Sequence, residues 1–203
     1  MELDNIKRDT NTLSILKKIT RVLSLFTFTL VFLFLFKINP IFAATRTWDA
    51  GGGANTNWSE CTNWSDNTCP TSSDIATFDG TNTGNSTISA STSVLGIDMN
   101  SGYTGTTTMA GGITLTVGTS NLDIAAGNFE GSNSSTIDIS GSLIMSAGKL
   151  IAPATTTIER SLSFTGGTFT HNSGVVTFDG SYAGNTSITA SGFSFNRNCN
   201  NRF

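Results

Sequence analysis

Three stretches of this chain carry one eight-residue pattern at nearly equal spacing. Leu122-Asp-Ile124-Ala-Ala-Gly127-Asn-Phe129, Leu143-Ile-Met145-Ser-Ala-Gly148-Lys-Leu150 and Leu162-Ser-Phe164-Thr-Gly-Gly167-Thr-Phe169 align position by position. Each has apolar side chains at its first, third and eighth positions and Gly at its sixth. Side chains alternate across a strand, so the first and third positions face the same side. The Gly allows a bend that brings the eighth position back toward that side. A unit of about 20 residues cannot bury its own apolar face, so neighbouring units must complete it by stacking. The alternating runs Ile113-Thr-Leu115-Thr-Val117, Ile137-Asp-Ile139 and Val175-Val-Thr-Phe178 fit between these copies. The expected fold is all-β: a parallel β-solenoid with about 20 residues per coil, in the form of a right-handed β-helix, after an N-terminal signal helix. At that coil length the chain beyond the signal would supply about seven or eight coils. An antiparallel sandwich also uses short strands and Gly turns, but it does not require the register of apolar and Gly positions to recur at the length of a coil.

A longer repeat brackets the short one. Residues 76–91, Ala-Thr-Phe78-Asp79-Gly-Thr-Asn82-Thr-Gly-Asn85-Ser-Thr-Ile88-Ser-Ala-Ser, match residues 176–191, Val-Thr-Phe178-Asp179-Gly-Ser-Tyr182-Ala-Gly-Asn185-Thr-Ser-Ile188-Thr-Ala-Ser, at nine of sixteen positions. Four further positions are Ser/Thr exchanges. Charged residues make up 12% of the chain, against about 25% in average soluble domains. Helix-forming Lys, Glu, Gln and Arg are too scarce for a bundle or coiled coil. Ser, Thr and Asn suit exposed strand and turn positions, where they can hydrogen-bond from coil to coil.

The N-terminal residues read as an export signal. Lys17, Lys18 and Arg21 precede an apolar run from Val22 to Phe36, followed by Pro40 and the small residues Ala43 and Ala44. This is the order of a secretory signal, and cleavage is expected after Ala43. The run is shorter than the roughly 20 residues that span a bilayer. The domain plan is therefore a signal peptide over 1–43, a Trp-rich capping segment over 44–75 and solenoid repeats over 76–203. Residues 1–44 hold six basic and three acidic side chains; the remainder holds five and eleven. The mildly acidic remainder argues against nucleic acid as a partner, and membrane contact is expected only through the signal segment where it stays uncleaved.

Export places Cys61 and Cys69 in an oxidising compartment, where a local disulfide is expected between them. A zinc site would need two more ligands, and the chain has one His, His171, far from the pair, and a third Cys, Cys199, near its end. All three Trp fall in the same segment: Trp48-Asp-Ala-Gly-Gly-Gly, Asn57-Trp58-Ser59 and Asn63-Trp64-Ser65, followed by Pro70 and Asp74-Ile-Ala-Thr-Phe78-Asp-Gly. This pattern resembles the start of the repetitive passenger region in bacterial surface proteins with autotransporter-type β-strand repeats. Residues 166–180, Gly-Gly-Thr-Phe-Thr-His-Asn-Ser-Gly-Val-Val-Thr-Phe-Asp-Gly, look like a repeat of large secreted β-helical surface proteins. The resemblance implies secretion, a β-helical shaft and a role in adhesion or envelope structure. The chain departs from the autotransporter plan in lacking a series of alternating ten-residue strands for a membrane barrel. Trp48, Trp58 and Trp64 have two readings: a cap over the first coil's open edge, or a platform on which sugar rings stack.

No catalytic residues, metal site or cofactor are expected. One His among many Ser gives no nucleophile-base signature, and His171 reads as an exposed turn residue. Asp138 and Glu159, separated by about one coil length, could stack on adjacent coils with Lys149 and Arg160 nearby. Asp79-Gly-Thr-Asn82-Thr-Gly-Asn85 lacks the ligand spacing of a calcium loop, and its second copy has Tyr182 in place of Asn82, which favours a turn. The expected function is a non-catalytic secreted or cell-surface β-solenoid with a structural or adhesion role, its partners glycans or other envelope proteins. The alternative is a carbohydrate-binding or carbohydrate-cleaving β-helix. The repeat breaks after Ile188 into Phe193-Ser-Phe195-Asn-Arg-Asn-Cys199-Asn-Asn-Arg-Phe203, so the chain is expected to be a piece of a longer protein, truncated at its C-terminus.

Overall fold

A computed structural model describes residues 14–27, 43–179 and 188–190. Pro40, Cys199 and residues 191–203 beyond the expected break fall outside these residues, whereas Ala43 and Ala44, on either side of the expected cleavage, are described. The chain divides into two units, Met1–Phe42 and Ala43–Phe203. In the first, residues 14–27 form an α-helix carrying Lys17, Lys18 and Arg21. Among the described residues no helix is long and apolar enough to cross a membrane.

The second unit is a parallel β-solenoid. Among the described residues its strands form three sheets of seven, five and five members, and each coil visits the three in turn. The first coil consists of Asp74–Phe78, Ser86–Ile88 and Thr92–Val94, and the fifth of Leu162–Phe164, Thr168–Thr170 and Val175–Phe178. All strand pairs among the described residues are parallel, which excludes the sandwich. Ala44–Thr47 extends the first sheet beyond the first coil by pairing with Asp74–Thr77. At the other end Ile188–Ala190 pairs with Leu162–Phe164.

The eight-residue pattern does what its chemistry requires. Leu122, Leu143 and Leu162 are in register on the first sheet, as are Ile124, Met145 and Phe164. Phe129, Leu150 and Phe169 line up on the second sheet. Gly127, Gly148 and Gly167 take left-handed φ values of 64°, 67° and 85° at the corner between them. A Cβ at Gly148 would run into the carbonyl oxygen of Gly127, so this corner needs Gly for space as well as for conformation. On the third sheet Val94, Val117, Ile139, Ile158 and Phe178 form a continuous inward column.

Coil length varies more than the short repeat indicates. One column of the first sheet steps in register from Ala76 to Ile97, then to Leu122, Leu143 and Leu162. The step from Ile97 to Leu122 is the longest of these and the step from Leu143 to Leu162 the shortest. Five complete coils follow the non-coiling Trp segment among the described residues; residues 180–187 and 191–203, which the expected seven or eight coils also included, lie outside them. The long repeat behaves unexpectedly. Phe78 lies on the first sheet and Phe178 on the third; Ile88 lies on the second and Ile188 on the first. The two copies therefore occupy the coil one sheet out of phase.

Candidate functional site

The segment between Thr47 and Asp74 folds over the first coil. Trp48 and Trp64 pair through an antiparallel bridge, and their rings meet edge-on at 5.1 Å. Trp58 meets Trp64 edge-on at 5.2 Å. All three indoles pack on Phe78, at centroid distances of 5.6–5.9 Å. Such edge-to-face contacts contribute about 0.5–1.5 kcal/mol each beyond area burial. Trp48 and Trp64 are fully buried and Trp58 is 5% exposed, so no ring offers a free face for a sugar to stack on.

The two Asn-Trp-Ser copies do different work. Asn63 is fully buried; its Nδ2 donates to the carbonyls of Asn55 and Asn57, and its Oδ1 accepts from the Gly52 amide. It thereby fixes the Gly-Gly-Gly loop against the cap, where a Cβ at Gly52 would strike the Asn63 side chain. Ser65 Oγ accepts from the Thr47 amide. Asn57, from the first copy, bonds Asn55 at the surface. Trp64 Nε1 donates to the Trp58 carbonyl at 2.9 Å. Cys61 and Cys69 are joined by a disulfide, with Cys69 packed against the apolar core. Arg46 lies 3.6 Å from Asp74, whose other oxygen accepts from the Thr71 amide.

Beneath the cap runs a polar relay that residue spacing did not reveal. Trp58 Nε1 donates to Ser86 Oγ at 3.2 Å, and Ser86 Oγ donates to Thr107 Oγ1 at 2.8 Å. Tyr103, also buried, donates to the Gly84 carbonyl. Burial pushes its phenol pKa up, partly opposed by hydrogen bonds with Thr107 and Ser86. The available signal was that Ser86 and Thr107 stand one coil apart, at positions that alternate with outward Thr87 and Thr108.

A cleft of about 260 Å³ lies beside the cap, lined by Trp58, Cys69, Pro70, Ala90, Ser91 and Thr92 among others. Trp58, which lines it, is 5% exposed. The remaining polar candidates are dispersed. Asp138 stacks on Thr157 because the coil here is shorter than the Asp138–Glu159 spacing, and Glu159 instead accepts from Ser140 Oγ. The expected Asp138–Glu159 stacking is thus replaced by a two-residue offset. Lys149 pairs with Glu130 at 3.3 Å. Asp79 and Asn82 accept from the amides of Thr81 and Gly84 in turns of their own. His171 is exposed and accepts from the Ser173 amide. Asp98 and Asp123 are in register on the outer side of the first sheet. Desolvation, and secondarily the Asp98 charge, holds the Asp123 carboxyl above its ordinary pKa. Among the described residues no three His, Cys, Asp or Glu side chains gather closely enough to hold a metal ion.

No protein-family model, curated protein or solved structure matches this chain.

Proposed function

We propose that this is a non-catalytic β-solenoid protein exported by its N-terminal segment and serving a structural or adhesion role at the cell surface. The observation that carries this reading is the coil-to-coil register. Apolar side chains fill the inward columns, the Trp cap covers one end of the stack, and rows of Ser, Thr and Asn run along the outside. The stacked coils repeat their chemistry from one to the next, and among the described residues no cluster of His, Cys, Asp and Glu gathers at one point. The basic residues before an apolar run and the small residues at Ala43 and Ala44 support export. The resemblance to bacterial surface proteins with autotransporter-type β-strand repeats supports the same reading. The burial of Trp48, Trp58 and Trp64 favours a capping role for these rings over a sugar platform.

The test is cell fractionation with protease shaving of intact cells expressing the full chain. A surface pool that has lost the segment up to Ala43 and is removed by protease is the expected result. A chain that stays unprocessed in the cytoplasm refutes export.

A further inference from the structure

The outward face of the third sheet is a regular grid. Two columns run across its coils: Thr114, Thr136, Thr155 and Val175 in one, and Thr116, Asp138, Thr157 and Thr177 in the other. Six of these eight positions are Thr. Parallel pairing spaces the rungs at about 4.7–4.9 Å, and alternate residues along each strand lie about 6.6–6.8 Å apart. Thr114, Val175 and Thr177 are exposed, and the other five are partly exposed.

Three properties distinguish this grid from other Thr-rich surfaces of the chain. Its Thr hydroxyls make no side-chain hydrogen bond among the described residues, whereas Thr106 Oγ1 on the second sheet accepts from Asn128 and Thr87 Oγ1 bonds Thr56. Seven of its eight side chains are β-branched, all but Asp138, so their χ1 freedom is restricted and the hydroxyls and methyls take few positions. Asp138 is its one charged side chain.

We propose that this face binds ice. Each Thr pairs a hydroxyl that can anchor a water with a methyl group that confines it. Register repeats that unit in two dimensions at fixed spacing. A row of water held in that way offers a template only to a partner that is itself a lattice of hydrogen-bonded water. Charge-guided partners gain nothing from a nearly neutral face, and sugars would seek an exposed aromatic ring, which the grid lacks. The proposal rests on the exported reading, since export is what brings the face into contact with external water.

The test uses the full chain and measures thermal hysteresis and partition into a slowly grown ice front. Wild type is expected to depress freezing below melting and to enter the ice. Thr136→Tyr, at the centre of the grid, is expected to abolish both. Thr155→Val, which keeps the shape and removes one hydroxyl, should weaken them and covers the case where Thr136→Tyr fails to fold by circular dichroism. Thr108→Tyr, outward on the second sheet, should leave both unchanged. Asp138→Thr completes a rung and should increase hysteresis at equal concentration. A β-folded wild type that the ice excludes overturns the proposal, whatever else it adheres to, insoluble polysaccharide included. Equal loss from Thr108→Tyr, or no gain from Asp138→Thr, overturns the assignment to this face. Fractionation reports separately on export: a surface protein excluded from ice sinks the ice proposal alone, and a cytoplasmic chain that enters ice sinks the export reading alone.

Discussion

Two buried threonines in this solenoid should respond to the same substitution with opposite signs. Thr156 is 3% exposed and sits in the third-sheet inward column between Ile137 and Val176. Its Oγ1 is buried and has no hydrogen-bond partner. Leaving a hydroxyl in that state costs about 1–3 kcal/mol, and Val has almost the same shape. Thr156→Val removes the cost and adds up to about 0.8 kcal/mol of methyl burial, so a net gain of about 1–2 kcal/mol is expected. Thr107 is equally buried, but its Oγ1 accepts from Ser86, which in turn accepts from Trp58. Thr107→Val deletes the acceptor of the Ser86 hydroxyl and the Thr107 contact with Tyr103, breaking up a buried polar cluster, a loss of about 1–2 kcal/mol. Urea denaturation followed by both far-ultraviolet circular dichroism and Trp fluorescence measures the two shifts. The slope should stay constant so that midpoints report stability. If both variants shift the midpoint in the same direction, hydrogen-bond satisfaction is not what distinguishes these sites and the reasoning fails.

Gly148→Ala should destabilise by more than about 1–2 kcal/mol, since left-handed backbone disfavours a Cβ by that amount and the Cβ would also meet the Gly127 carbonyl; an unchanged denaturation midpoint contradicts the corner geometry. The disulfide closes a loop of sequence separation 8, for which chain entropy predicts about 2.5 kcal/mol. Cys61→Ser with Cys69→Ser should therefore lower the midpoint and expose the Trp cluster to acrylamide quenching, whereas quenching identical to wild type would show that the cap holds without it. Asp98→Asn removes one cause of the raised Asp123 pKa. The folded state binds that proton more tightly than the unfolded one, so wild-type stability falls as pH rises from the ordinary Asp pKa through the raised one. The variant should be the more stable protein at neutral pH, with the difference shrinking as Asp123 protonates on acidification; a pH-independent difference would rule out the charge pair as its source.

The parts of this fold that were legible in the sequence are those set by local backbone geometry. Leu122, Leu143 and Leu162 stack because period-two alternation and a Gly corner recur, and both survive in a single sequence. Coil length was not legible, because corners absorb extra residues without disturbing the inward columns. The long step from Ile97 to Leu122 includes the corner that holds Tyr103. The same tolerance explains why residues 76–91 and 176–178 with 188–190 occupy different sheets: each sheet asks only for alternating inward residues followed by a turn. It also explains why Asp138 and Glu159 fail to stack, since the coil between them closes at Thr157, before Glu159 is reached. The Trp segment could be assigned to the first coil from its aromatic density. Its organiser, Asn63, could not be told from Asn57, because both stand in the same tripeptide and only tertiary contacts decide which is buried.

Low charge in this chain follows from parallel stacking itself. An in-register column brings like residues within about 4.7–4.9 Å of one another along its length. A repeating Thr is harmless there, while a repeating Asp repels its own copy: Asp98 and Asp123 stand in register, and the Asp98 charge adds to the desolvation that raises the Asp123 carboxyl. Opposite charges are tolerated where they pair, as Lys149 and Glu130 do. The argument can be pressed at Thr157, whose rung neighbour is Asp138. Thr157→Asp sets two carboxylates side by side at the surface, for which Coulomb's law in water gives about 1 kcal/mol of repulsion. That cost should appear at neutral pH and low salt. It should fade as ionic strength shortens the screening length and vanish once acid protonates one of the two. Thr157→Asn has nearly the same volume without the charge and should show none of this dependence. A penalty for Thr157→Asp that salt and acid leave untouched would mean that strand propensity or packing sets the outward composition, and that stacking repulsion does not explain why this chain is so poor in charge.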